Sequence, residues 1–152
     1  MKSNNFSSGQ SLFEVILALA LATLIVVALV ALASNAIRNV TFSKNKTLST
    51  RYAQEATEWL RGQRDEDWDT FRANVFFCPT PPHIQCLNTL SWEDCGVCGD
   101  TEFKDKIFKR EISFPEVSDN SISIEVKVYW TDAQGLHEVR SSTILTDWKS
   151  QY

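Results

Sequence analysis

The sequence predicts an α+β fold, a long N-terminal helix packed on a C-terminal antiparallel β-sheet of about three or four strands, with the first half of the helix spanning a membrane. Three observations lead there. Residues 15–33 form an apolar run in which Thr23 is the only polar side chain. No Gly or Pro interrupts the chain from Gln10 to Arg61, and apolar residues keep helical spacing beyond the run. Residues 121–130 alternate strictly, with Ile122, Ile124, Val126, Val128 and Trp130 on one face and Ser121, Ser123, Glu125, Lys127 and Tyr129 on the other.

At roughly 1.5 Å per residue, the 19 positions of the apolar run span about 28 Å, close to the hydrocarbon thickness of a bilayer. The run is apolar all round, so it offers no single face to a soluble core. A buried core helix would need more chain around it than the remainder supplies. A secretory signal peptide is the other alternative, with Ala31-Leu32-Ala33 as a small-x-small cleavage site. Against it, the run is longer than a signal peptide's apolar stretch, and Lys2 is the only basic side chain of its polar start.

Gly9-Gln10-Ser11-Leu12-Phe13-Glu14 opens directly onto this run. A carboxylate inside a membrane-length helix costs a few kcal/mol at the bilayer centre and less towards its edge, so it marks a working group. Together with Val15-Ile16-Leu17-Ala18-Leu19, this stretch resembles the prepilin signature of type IV pilins and type II secretion pseudopilins. The resemblance implies a hydrophilic leader over residues 1–9, cleavage by prepilin peptidase after Gly9, methylation of the amine of Gln10, and Glu14 as the fifth mature residue. It implies no catalytic residue, no cofactor and no enzymatic activity. Gln10 stands where major pilins usually carry Phe or Met, and the run lacks their helix-breaking Gly and Pro. Both features point to a minor pilin or pseudopilin with an unkinked helix. The implied partners are other pilin or pseudopilin subunits, prepilin peptidase, the inner-membrane assembly machinery and, before assembly, the lipid bilayer. In the dry core of such a filament the carboxylate of Glu14 needs a partner, and the family's partner is the N-terminal amine of a neighbouring subunit.

The domains expected in order are the leader (1–9), the transmembrane and assembly helix (10–33), its amphipathic continuation (34–64), a cysteine-containing loop region (65–105) and the sheet (106–152). In the continuation Ile37, Val40, Leu48, Tyr52, Ala56, Trp59 and Leu60 recur mostly at three- and four-residue steps. Residues 44–49 are its weakest part, and Gly62 is the expected stop. Residues 53–61, with Arg64, Asp65 and Trp68, are also similar, more loosely, to minor pilins after the helix, as is the closing stretch 143–148. Asp65, Glu66, Asp67 and Asp69 lack the Gly and ordered spacing of a calcium loop and read as a solvated acidic turn. In the sheet, residues 107–114 supply a strand ended by Pro115. Asp132-Ala133-Gln134-Gly135 forms a turn. Residues 136–146 return with Val139, Ser141, Thr143 and Leu145 inward.

Cys78, Cys86, Cys95 and Cys98 all fall between helix and sheet, among Pro79, Pro81, Pro82, Gly96 and Gly99. Two structural disulfides suit an exported domain with a long irregular segment. Four cysteines allow three pairings, and the sequence does not choose. A zinc site is the weaker alternative, with Cys95-x-x-Cys98 at ligand spacing completed by Cys78, Cys86 or His83. A redox pair at Cys95 and Cys98 lacks the βαβ context of such motifs. The remaining histidine, His137, starts a strand, and both histidines are expected to be solvated.

The 152 residues carry 15 basic against 19 acidic side chains, a net charge of −4. With no basic stripe there is no electrostatic footprint for nucleic acid. Arg38, Lys44, Lys46 and Arg51 follow the apolar run, against Lys2 before it. The positive-inside rule taken alone would place the C-terminal domain inside. The prepilin-like leader and the cysteines argue for the reverse: a single-pass inner-membrane protein with a cytoplasmic N-terminus and an extracytoplasmic domain, moving into a filament on assembly. The competing expectations are a membrane-anchored extracytoplasmic binding module and an anchored thiol oxidoreductase using Cys95 and Cys98.

Overall fold

The computed structural model describes residues 8–92, 95–99 and 107–149, with side chains from Leu12 onward. Nearly all of the expected leader therefore lies outside the described residues. Helices α1 (Ser8–Glu66) and α2 (Trp68–Phe76) precede strands β1 (Gln85–Cys86), β2 (Phe108–Ser113), β3 (Ser121–Asp132) and β4 (Gly135–Thr146). The fold is α+β, with a long N-terminal helix and an antiparallel sheet, as the apolar run and the alternation predict.

The chain forms two units, Met1–Ser43 and Lys44–Tyr152. In the first, every side chain over residues 12–41 is exposed, including the whole apolar run. Helix α1 is long and apolar enough to cross a membrane. In the second, α1 turns amphipathic. Asn45, Ser49, Ala53, Ala56, Thr57 and Leu60 are buried along one stripe, and the ring of Tyr52 meets Phe108 of β2 edge-on at 5.4 Å. Residues 44–49 do not loosen, because Asn45 and Ser49 belong to that same buried stripe.

Gly62 does not end the helix. No Pro follows it, and α1 continues to Glu66, four residues beyond the expected stop. It stops where Asp67 turns extended (φ −154°, ψ 117°) and caps α2, its carboxylate accepting from the Thr70 N–H at 2.6 Å. That hydrogen bond holds the Asp67 carboxyl below its ordinary pKa. Asp65 accepts from Trp148 Nε1 at 3.1 Å and from Arg64 Nε at 2.8 Å, which lower its pKa in that order. The acidic stretch is solvated as expected, all four carboxylates being exposed, but it is a helix junction tied to the C-terminal segment rather than a free turn.

The sheet runs β1-β2-β3-β4, antiparallel throughout. Strand β2 pairs with β3 from Phe108↔Trp130 to Ser113↔Glu125, and the β3–β4 hairpin closes at Asp132↔Gly135. Gly135 sits at φ +120°, where a side chain would be strained. The alternation in β3 is as expected: Ile122, Ile124, Val126, Val128 and Trp130 are buried. In β4, Val139, Ser141, Thr143 and Leu145 face inward. The segment expected to be loop contains α2, which buries Phe71 and Val75, and the short edge strand β1. Both histidines depart from the solvated expectation. His83 is buried and contacts the Cys78 carbonyl, and His137 stacks on Trp130 at 5.2 Å with Asp132 beside it at 3.0 Å.

Candidate functional site

The residues singled out in the sequence lie in two regions. Gly9 and Gln10 belong to the first turns of α1, and the side chain of Gln10 lies outside what the structure describes. Glu14 projects from the exposed apolar part of α1. Among the described residues it has no ionic partner within the chain. Such a carboxylate can be satisfied only by water, a lipid headgroup or a group from another molecule.

All four cysteines are bonded, Cys78 to Cys95 and Cys86 to Cys98, with Cα–Cα separations of 5.4 and 4.8 Å. The pairing interleaves in sequence, so the two bridges cross-brace one segment. Two of the weaker expectations fall with it. Zinc would need thiolates, and none of the four sulfurs is free. Cys95 and Cys98 are joined to different partners, so they do not form a dithiol pair with each other. Among the described residues no other group of His, Cys, Asp and Glu has the makings of a metal site.

The cysteine segment is anchored to the sheet by two adjacent charged residues of β2. Arg110 faces the helix side, buried to 1% exposure. Its Nε donates to the Leu87 carbonyl at 2.7 Å, and its Nη1 donates to the Tyr52 carbonyl at 3.0 Å and to Glu55 Oε2 at 3.2 Å. Its backbone N–H donates to Asn88 Oδ1 at 3.0 Å. Burial lowers the guanidinium pKa, and Glu55 opposes that shift, so the ion remains charged. Glu111 faces the other side. It accepts from Tyr129 Oη at 2.7 Å, from the Cys98 N–H at 3.0 Å and from Lys127 Nζ at 2.9 Å. Burial alone would raise its pKa; the hydrogen bonds from Tyr129, Lys127 and Cys98 outweigh it and bring the net shift below the ordinary value. Burial and the same carboxylate push the Tyr129 hydroxyl well above its usual range.

An open pocket of about 290 Å³ lies against the Cys78–Cys95 bridge, walled by Pro79, Pro81, Pro82 and Ile84. A second, of about 210 Å³, shares Pro82 and Ile84 and runs over Glu111, Glu125, Lys127 and Arg140 on the outer face of the sheet. The sequence carried a signal for Arg110 that is easy to miss. Phe108, Arg110 and Ile112 share one face by alternation, which places an arginine among core residues. Nothing local marks Glu111, whose partners come from β3 and the cysteine segment. No protein-family model, curated protein or solved structure matches this chain.

Proposed function

We propose that the chain is a minor pilin or pseudopilin, a membrane-anchored structural subunit that prepilin peptidase trims after Gly9 and that joins a type IV pilus-like filament. The observation that carries this reading is Gly9-Gln10-Ser11-Leu12-Phe13-Glu14 opening onto an exposed helix of membrane length. An apolar surface of that size must be covered, by lipid before assembly and by the helices of other subunits afterwards. Glu14 supplies the selectivity. In a dry helical core its carboxylate pairs with the methylated amine of Gln10 from a neighbouring subunit, and a subunit out of step leaves a charge unpaired.

The two disulfides support an extracytoplasmic domain, because such bonds persist in oxidising compartments. The leader then faces the cytoplasm, on the side of the peptidase and the assembly machinery. The apolar stripe of α1 laid on an antiparallel sheet supports the reading independently of the N-terminal motif. The decisive measurement is the mass of the mature N-terminal peptide. Methylated Gln10 is the expected outcome. A chain beginning at Met1 or Lys2 overturns the reading in favour of a single-pass anchored binding module. A chain beginning just after Ala33 makes the apolar run a signal peptide.

A further inference from the structure

The two disulfides differ in a way that neither filament assembly nor the fold requires. In the Cys86–Cys98 bridge both residues are buried, to 8% and 6% exposure. Cys86 sits in the β1–β2 ladder opposite Glu111, whose carboxylate also fixes the Cys98 N–H. That bridge is closed into the sheet on both sides. The Cys78–Cys95 bridge joins buried Cys78 to Cys95, which is exposed. Both of its cysteines form part of the wall of the open pocket between Pro79 and Ile84. Among the described residues, none that lines the pocket is ionisable.

From this asymmetry we infer that Cys78–Cys95 is a thiol–disulfide exchange site, a substrate for a dithiol oxidoreductase, whereas Cys86–Cys98 is a permanent staple. Exchange requires a thiolate to reach one sulfur of the bridge in line with the bond it breaks. Access is from the Cys95 side. The attacking thiolate bonds to Cys95 Sγ, the Cys78–Cys95 bond breaks, and its electron pair leaves on Cys78 Sγ, which takes up a proton. The oxidoreductase's second thiol then attacks its own sulfur in the mixed disulfide and releases Cys95 as a thiol. The oxidoreductase's dithiol is oxidised by two electrons and the bridge is reduced by two. The disulfide form of the same enzyme class runs the sequence backwards.

Opening this bridge frees a bounded piece of the molecule. The bridge closes a segment with a sequence separation of 17, while Cys86–Cys98, the β1–β2 pairing and the hold of Arg110 on Leu87 and Asn88 remain. The change is local to the walls of the pocket, and the sheet stays intact.

The test uses the full chain in detergent micelles without denaturant. Brief treatment with dithiothreitol, alkylation and peptide mapping should label Cys78 and Cys95 at least about tenfold faster than Cys86 and Cys98. Thioredoxin lacking its resolving cysteine should be trapped as a mixed disulfide on Cys95. Equal labelling of the four cysteines, faster labelling of Cys86 and Cys98, a trap on any other cysteine, or no adduct overturns the inference. None of these outcomes depends on whether the chain enters a filament.

Discussion

Arg110 and Glu111 show how much can rest on two neighbouring side chains. They point to opposite faces of β2, and each gathers hydrogen bonds from segments far away in sequence. Removing Arg110 takes away the donor to the buried Leu87 carbonyl, a second donor to the Tyr52 carbonyl and the counter-ion of Glu55. Arg110→Met should therefore destabilise the domain by about 3 kcal/mol or more in denaturant unfolding, even though the substitution keeps apolar bulk in place. Glu111→Gln should cost less, about 1–3 kcal/mol, because the amide still accepts one bond but no longer answers Lys127. Its signature is the pH dependence. The folded-state pKa of Glu111 is depressed, so its contribution is complete above the ordinary glutamate range, about 4.3, and drains away as pH falls below that towards the folded value. The wild type should lose more stability than Glu111→Gln between about pH 6 and pH 3, and equal slopes would remove Glu111 from the account. Local pattern gave a cue for Arg110, through its place between Phe108 and Ile112, but none for Glu111. The alternation of β2 was visible, but the partners of Glu111 lie on β3 and in the cysteine segment, and only folding brings them together.

At the scale of elements, what the sequence displayed depended on length. The helix carried its signal over some fifty residues, and β3 over ten alternating positions, so neither could be mistaken. Helix α2 has nine residues and β1 two, too few for a period to stand out among Pro, Cys and acidic side chains. The cue for α2 was Asp67 with Thr70 three residues on, which reads as an N-cap once the junction is known. Gly62 misled in the other direction. A glycine near the end of a periodic stretch suggests a stop, yet a helix with no Pro after it and a capping Asp further on can run through. The backbone at Gly62 is helical, and a Cβ built there meets nothing within 4 Å. Gly62→Ala should therefore stabilise the domain, by about 0.5–1 kcal/mol, through the helix propensity of alanine and the reduced freedom of the unfolded chain. Thermal unfolding of the variant checks this. A lower midpoint would mean that Gly62 serves a contact outside the chain.

At the scale of the whole molecule, sequence and structure agree on the α+β plan for a physical reason. A membrane-length apolar run, an amphipathic continuation and an alternating strand each have only one way to bury what they expose. The disulfide pairing had no such uniqueness, since three pairings satisfied the sequence equally and only the packed loop selects one. On the proposed filament reading, incorporation is where the single acid of the apolar run can be isolated from everything else the helix does. Glu14→Leu makes the membrane segment more apolar, and on insertion scales a carboxylate in a helix is unfavourable by up to about 3 kcal/mol at the bilayer centre. The variant should thus reach the membrane at least as well as the wild type, at the same abundance and with the same two disulfides. If the carboxylate of Glu14 answers the amine of a neighbouring copy, the variant should nonetheless be depleted from sheared filaments by about tenfold or more, which corresponds to the roughly 1.4 kcal/mol or more that one unanswered buried amine costs. Quantifying membrane-bound and filament-bound protein side by side decides it. Equal incorporation of Glu14→Leu would show that the acid sets no register, whereas loss of both fractions would point to a failure of insertion that this physics forbids.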